Sequence, residues 1–151
     1  MQHRKLLGYK PNSVTEYLMV YRKSTEKLLD WNIRSYDYKT VEDSKVADGY
    51  ETTNVWKIDP CFDKIHSAIF PVELCKRVIQ YYSYKGDLVF DPFGGSGTVG
   101  KTAKALERLF FLTEQEPKYF EYMQSKSKQP NMFKERETKF LSLEQFKEIA
   151  K

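Results

Sequence analysis

The stretch Asp87-Leu-Val-Phe-Asp-Pro-Phe-Gly-Gly-Ser-Gly-Thr98 constrains this chain more than any other: an apolar run ends in an acid and breaks into glycines. A parallel sheet presents a nucleotide-like ligand in this way, because the strand's carboxyl end faces a crevice and glycines let backbone amides approach the ligand closely. The residues that follow, Ser96 to Leu106, read as a helix with small side chains where it meets the turn. The implied unit is strand, loop and helix with a ligand at the join, which sets an α/β class.

Gly95-Ser-Gly-Thr-Val-Gly-Lys-Thr102 is also a full match to G-x-x-x-x-G-K-[ST], with Lys101 and Thr102 in the phosphate and magnesium places, so a module that binds ATP or GTP stays open on the motif alone. The context argues against it. Asp91-Pro92-Phe93-Gly94 intervenes between the strand and that glycine, and a carboxylate at a strand's end is a poor neighbour for triphosphate but a good one for an ammonium group. The next apolar run, Arg108-Leu-Phe-Phe-Leu-Thr-Glu114, ends in a second acid. Its offset is close to the roughly 20 residues at which such sheets set an acid on ribose hydroxyls. Two acids at adjacent strand ends suit a ligand with both an amino group and a ribose, and S-adenosylmethionine has both.

The order of these pieces resembles the C-terminal, cofactor-binding half of the amino-group DNA methyltransferases, the N6-adenine and N4-cytosine enzymes of restriction-modification systems, in their permuted-order (β-class) arrangement. The matching residues are Asn54-Val-Trp-Lys-Ile58, His66-Ser-Ala-Ile-Phe-Pro-Val-Glu-Leu74, Gly86 to Thr98, and Phe111-Leu-Thr-Glu-Gln-Glu-Pro-Lys-Tyr119. The resemblance implies an incomplete Rossmann-like methyltransferase fold, a partial sheet with flanking helices. It implies S-adenosylmethionine as cofactor, held by His66, Phe70, Pro71, Asp91, Pro92, Phe93, Gly94, Gly95, Ser96, Gly97, Thr98 and Glu114. Glu114 falls on the ribose-binding acid and Asp91 near the methionine amino group. Double-stranded DNA is the implied partner.

Around this centre the chain divides into residues 1–21, a strand belonging to the catalytic half; 22–53, a target-recognition insert; 54–127, the cofactor-binding region; and 128–151, a tail. Val14 to Tyr21 has strand composition. Residues 22–53 read mostly as loop with one short helix, in which Arg22, Lys23, Lys27, Arg34 and Lys39 would meet phosphates while Trp31, Tyr36 and Tyr38 contact bases. A solvated loop whose aromatics pack on the domain is the alternative. Pro71 opens a helix over residues 71–83, with Val72, Leu74, Cys75, Val78 and Ile79 at helical spacing. A further helix runs from Pro117 to about Ser125, and Leu143, Phe146 and Ile149 make residues 141–151 amphipathic, either to cap the sheet or to fray.

At 151 residues the chain is short for a doubly wound enzyme with its own DNA-reading segment, and its formal charge of +4 is compatible with a phosphate backbone. Cys61 and Cys75 lack zinc-site spacing, so no metal is expected and both read as reduced thiols of a cytoplasmic protein. No apolar run approaches the roughly 18 residues of a membrane span.

Methylating an exocyclic amine requires the flipped base to be held in line with the methyl sulfonium, by hydrogen bonds to the amine and an aromatic stack. In the family an Asp/Asn/Ser-Pro-Pro-aromatic loop does this, and no such tetrapeptide occurs here. The nearest approach, Asp59-Pro60-Cys61-Phe62, offers Asp59, Pro60 and Phe62 as catalytic candidates but lies where the family has only a connection. The chain is therefore expected to be a split or truncated methyltransferase whose catalytic loop comes from a second polypeptide or from an absent N-terminal half, or a member of a homo-oligomer. Such a chain exposes an edge strand and an apolar sheet face. A non-catalytic DNA-binding remnant is the remaining alternative.

Overall fold

Two short apolar runs separated by a helix pair side by side in the computed structural model, which describes residues 15–22, 24, 35–46, 52–61, 70–127 and 138–150. Strand β1, Leu88–Asp91, lies parallel to β2, Leu109–Leu112, in the register Leu88↔Leu109 to Asp91↔Leu112. Parallel pairing needs a crossover, and a helix over Thr98–Ala105 supplies it. In chain order the helices are α1, Tyr38–Asp43; α2, Val72–Tyr82; α3, Thr98–Ala105; α4, Pro117–Ser127; and α5, Leu143–Ile149. The result is an α/β arrangement, a partial parallel sheet with flanking helices, and the helix and strand expectations over 71–127 hold to within a few residues.

The sheet has two unlike faces. Helix α3 covers the one carrying Phe110 and Leu112, and it can approach because residue 100 is glycine: a Cβ there would stand 2.8 Å from Leu112 Cδ1 and 3.0 Å from Phe110 Cδ2. Helix α2 packs on α3 and buries Cys75 and Ile79, one turn apart on a single stripe. Val72, expected on that stripe, is instead exposed at the helix's first turn, where no element lies over it among the described residues. On the opposite sheet face Leu88, Phe90, Leu109 and Phe111 remain 63, 57, 42 and 37 % exposed. Phe146 of α5 stacks on Phe111 with ring centroids 5.4 Å apart, so the C-terminal segment caps part of the sheet. Its own start is fixed by a capping box in which Ser142 and Gln145 exchange hydrogen bonds.

The amino ends of the strands are tied by polar groups. Asp87 accepts from the Tyr36 hydroxyl at 2.7 Å through Oδ1 and from the Tyr84 amide at 2.8 Å through Oδ2. The ring of Tyr36 lies 4.3 Å from that of Tyr84, and Ser44 Oγ accepts from the Lys85 amide. Tyr36 is therefore an anchor rather than a base contact, because its hydroxyl and ring are both occupied at the sheet's end; the hydrogen bond to Asp87 pushes its phenol up to about 12. Buried Arg108 donates to the carbonyls of Ser83 and Leu106, joining the carboxyl ends of α2 and α3.

The chain divides into two compact units, residues 1–34 and 35–151. In the first, residues 15–22 form no strand, contrary to expectation for Val14 to Tyr21; Val14 itself lies outside the described residues. A strand exists only as half of a ladder, and among the described residues none pairs with this segment. Among the described residues no helix is long and apolar enough to cross a membrane.

The Gly100→Val substitution tests the close helix-on-sheet approach. It should cost about 2 kcal/mol by overpacking against Phe110 and Leu112, seen as a lower urea midpoint at unchanged slope.

Candidate functional site

Beyond the strands' carboxyl ends the backbone makes a loop that belongs to both strands. The Asp91 carbonyl accepts from Thr113 N at 3.0 Å, continuing the ladder, and Asp91 Oδ1 then turns the chain by accepting from Phe93 N at 2.9 Å. Gly94 N donates to the Thr113 carbonyl at 2.8 Å, and Thr113 Oγ1 donates to the Pro92 carbonyl at 2.8 Å. Gly95 N donates to Glu114 Oε2 at 2.8 Å, while Glu114 Oε1 accepts from Glu116 N at 2.8 Å. Thr113 therefore holds Pro92 and Gly94, and Glu114 holds Gly95.

The glycines follow from this geometry. Gly95 and Gly97 have φ of 50° and 76°, in the left-handed region that L side chains rarely enter. A Cβ on Gly97 would also stand 3.0 Å from Met123 Cγ, since buried Met123 of α4 props the loop from behind. Gly97 caps α3 without a side chain, so the first-turn amides of that helix have no side-chain cap.

Two carboxylates face this crevice with capacity to spare. Asp91 Oδ2 has no partner among the described residues, and each oxygen of Glu114 has accepted only one hydrogen bond of the two it can take. Phe93 is 85 % exposed beside them. On α2, burial and then the charge of Asp91 push the Cys75 thiol up to about 11. Phe70 is exposed and Pro71 half-buried at that helix's N-terminus. Two carboxylates with open acceptor sites and an exposed aromatic ring thus lie around the glycine loop.

The phosphate-loop reading meets an obstacle here. The Gly95 amide, which would cradle phosphate, is held by the Glu114 carboxylate, and an anion already fills that role. Thr102 is buried with its hydroxyl donating to the Thr98 carbonyl at 2.8 Å, turned into its own helix and away from any metal. Lys101 is exposed on α3, and partial desolvation, followed by the charge of Lys126, holds its ammonium below the usual lysine range. Among the described residues no three of His, Cys, Asp and Glu gather to hold a metal.

The structure thus brings together Asp91, Pro92, Phe93, Gly94, Gly95, Ser96, Gly97, Thr98 and Glu114, while Phe70 and Pro71 stand at the start of α2. His66, Phe62, Lys23, Lys27 and Arg34 lie outside the described residues. Asp59 and Pro60 are exposed in the segment 52–61, whose Trp56 stacks on Tyr81 of α2. Arg22 is exposed in the first unit; Lys39 is exposed on α1, whose following residue Ser44 is tied to Lys85 at the other end of the sheet from the loop. Two loop-holding residues escaped the sequence reading. Thr113 had a signal in its place next to Glu114, whereas nothing local marks Met123.

The chain matches the family model described as DNA methylase, of the N6 and N4 type, over residues 4–125. It is 32 % identical over 112 residues to the type II methyltransferase M.Cfr9I of Citrobacter freundii, covering 73 % of this chain and 35 % of that one. It is 34 % identical over 116 residues to the type II methyltransferase M.BglI of Bacillus subtilis, covering 76 % of this chain and 31 % of that one. The chain thus spans about a third of the length of these relatives. Among solved structures it is similar to a DNA modification methylase of Thermus thermophilus, TTHA0409, in complex with S-adenosyl-L-methionine, at 24 % identity and a TM-score of 0.49, covering 78 % of this chain and 47 % of that one.

Two measurements check this geometry. Glu114→Gln replaces an acceptor by a donor at the Gly95 amide or the Glu116 amide and should cost about 1–2 kcal/mol of stability, with faster exchange of the Gly95 amide hydrogen. At pH 8 iodoacetamide should alkylate exposed Cys61 alone, and Cys75 only after urea unfolding, since a buried thiol with a raised pKa supplies almost no thiolate.

Proposed function

The chain belongs to the N6/N4 family of DNA methylases, and from that premise we propose that it is the S-adenosylmethionine-binding part of a DNA methyltransferase of restriction-modification type. The observation that carries the reading is the pair of strand-end acids around the glycine loop, Asp91 with an open oxygen and Glu114 clasping Gly95. Asp91 would pair with the cofactor's methionine ammonium and Glu114 would accept from the ribose hydroxyls through its remaining lone pairs. Phe93 and Phe70 supply exposed aromatic surface for the adenine and the sulfonium end. The group bound there supplies an electrophilic methyl; what the residues of this chain do is fix its orientation and shield one side of it from water.

The acceptor amine needs a second set of groups. Asp59 and Pro60 are exposed in a segment whose Trp56 lies on α2, and the tetrapeptide they begin lacks the second proline of the family's loop. We therefore assign catalysis to a loop outside this stretch of sequence, carried by a second polypeptide or by an N-terminal half of the same protein, so that residues 1–151 alone bind cofactor and do not transfer methyl groups. Double-stranded DNA is the proposed substrate. Arg22, Lys23, Lys27 and Arg34 are the proposed phosphate contacts, with Lys39 a less favoured one because α1 is anchored at the far end of the sheet.

Isothermal titration tests the pocket. The purified chain should bind S-adenosylhomocysteine, with at least tenfold weaker binding in Asp91→Ala and in Glu114→Ala and no change in Lys101→Ala. Magnesium-ATP run in parallel should give no heat, and binding of ATP abolished by Lys101→Ala would overturn the reading in favour of a phosphate loop.

A further inference from the structure

Thr113 is fastened to the loop at three points, and one of them depends on its side chain. Its amide donates to the Asp91 carbonyl at 3.0 Å and its carbonyl accepts from Gly94 N at 2.8 Å, bonds that any residue but proline would keep. Its hydroxyl donates to the Pro92 carbonyl at 2.8 Å. The peptide joining Pro92 to Phe93 is gripped at its other end as well, because Phe93 N donates to Asp91 Oδ1 at 2.9 Å. That one peptide is therefore tied through its oxygen to a side chain just past β2 and through its hydrogen to the side chain that ends β1.

A peptide group is planar and moves as one body about the soft torsions on either side of it. With its oxygen pinned by Thr113, the N–H is held in one direction, and it points at Asp91. That bond engages Oδ1 and so orients the carboxylate, leaving Oδ2 as the oxygen with no partner among the described residues. Glu114 is held differently. Its oxygens accept from Gly95 N and Glu116 N, both at 2.8 Å, and neither bond runs through the peptide between Pro92 and Phe93. The Thr113 hydroxyl thus bears on one acid of the crevice and not on the other.

We propose that Thr113 is a positioning residue for Asp91: its hydroxyl locks the peptide between Pro92 and Phe93 so that Asp91 presents Oδ2 to the ammonium of the bound cofactor. This rests on the reading of the glycine loop and its two acids as an S-adenosylmethionine site. Thr113 acts without touching the ligand. When the hydroxyl is lost, the exposed Pro92 carbonyl takes water in its place, the peptide turns, and the carboxylate samples rotamers that the ligand must then order. The loss falls on the ammonium end of the ligand alone. Thr113 is exposed and valine keeps its branched shape, so Thr113→Val removes the hydrogen bond without opening a cavity.

Two ligands that differ at one end test this. S-adenosylhomocysteine carries the amino-acid end with its ammonium, whereas methylthioadenosine shares the adenine, the ribose and the thioether and lacks that end. In isothermal titration of the chain, Thr113→Val should weaken S-adenosylhomocysteine about fivefold, the contribution of one hydrogen bond, and leave methylthioadenosine unchanged. Thr113→Ser keeps the hydroxyl and should restore the binding of the unaltered chain. The double variant Thr113→Val with Asp91→Ala should bind no more weakly than Asp91→Ala alone, since the hydroxyl acts through that carboxylate. Without ligand, the Phe93 amide hydrogen should exchange faster in Thr113→Val while the Gly95 amide, held by Glu114, keeps its rate. Equal weakening of both ligands overturns the proposal, because it marks Thr113 as a support of the whole loop or a contact to the ribose. Losses that add in the double variant overturn it too, as does a Thr113→Ser that fails to restore binding or a Phe93 amide that exchanges at its old rate. An unaltered chain that binds neither ligand counts against the cofactor reading, and the Phe93 exchange then decides by itself whether Thr113 orders Asp91.

Discussion

The structure depends on the way the end of β2 holds the loop that follows β1. Thr113 and Glu114 receive the amides of Gly94 and Gly95, and Thr113 returns a hydroxyl hydrogen bond to Pro92. None of these bonds is local in sequence, so the loop has its shape only when the two strands are in register. Buried backbone amides must find acceptors, and here the acceptors are the Thr113 carbonyl and the Glu114 carboxylate, the second of which keeps acceptor capacity in reserve. Site and fold are therefore one cooperative unit: what shifts β2 by a residue unmakes the crevice.

Much of this was legible in the sequence because its cause is local. The apolar run ending in Asp91, the glycines needed for positive φ at 95 and 97, and the helical stripe of Cys75 and Ile79 each announce an element by chemistry within a few residues. The acids at 91 and 114 could be paired only by assuming that their strands were neighbours, and the parallel register makes them so. Met123 and Gly100 matter through contacts made across elements, with the loop and with β2 respectively, and neither has a mark of its own. Tyr36 stood open in the sequence between a base contact and an aromatic packed on the domain, and only the position of Asp87 shows that it is a clasp.

The segment 15–22 is a different case. Its residues have the composition of a strand, yet composition supplies only the propensity, and a ladder supplies the structure. The open face at Leu88 and Phe90 is the complementary observation. Among the described residues β1 has a strand on one side only, and its side chains on the face away from α3 stay largely exposed.

The clasp between Tyr36 and Asp87 has a consequence for how such a protein diversifies. It sits at the strands' amino ends, while the glycine loop sits at their carboxyl ends, so the sheet itself separates them. A substitution that breaks the clasp, such as Tyr36→Phe, therefore removes no hydrogen bond of the glycine loop, and the two ends of the sheet are free to vary one at a time.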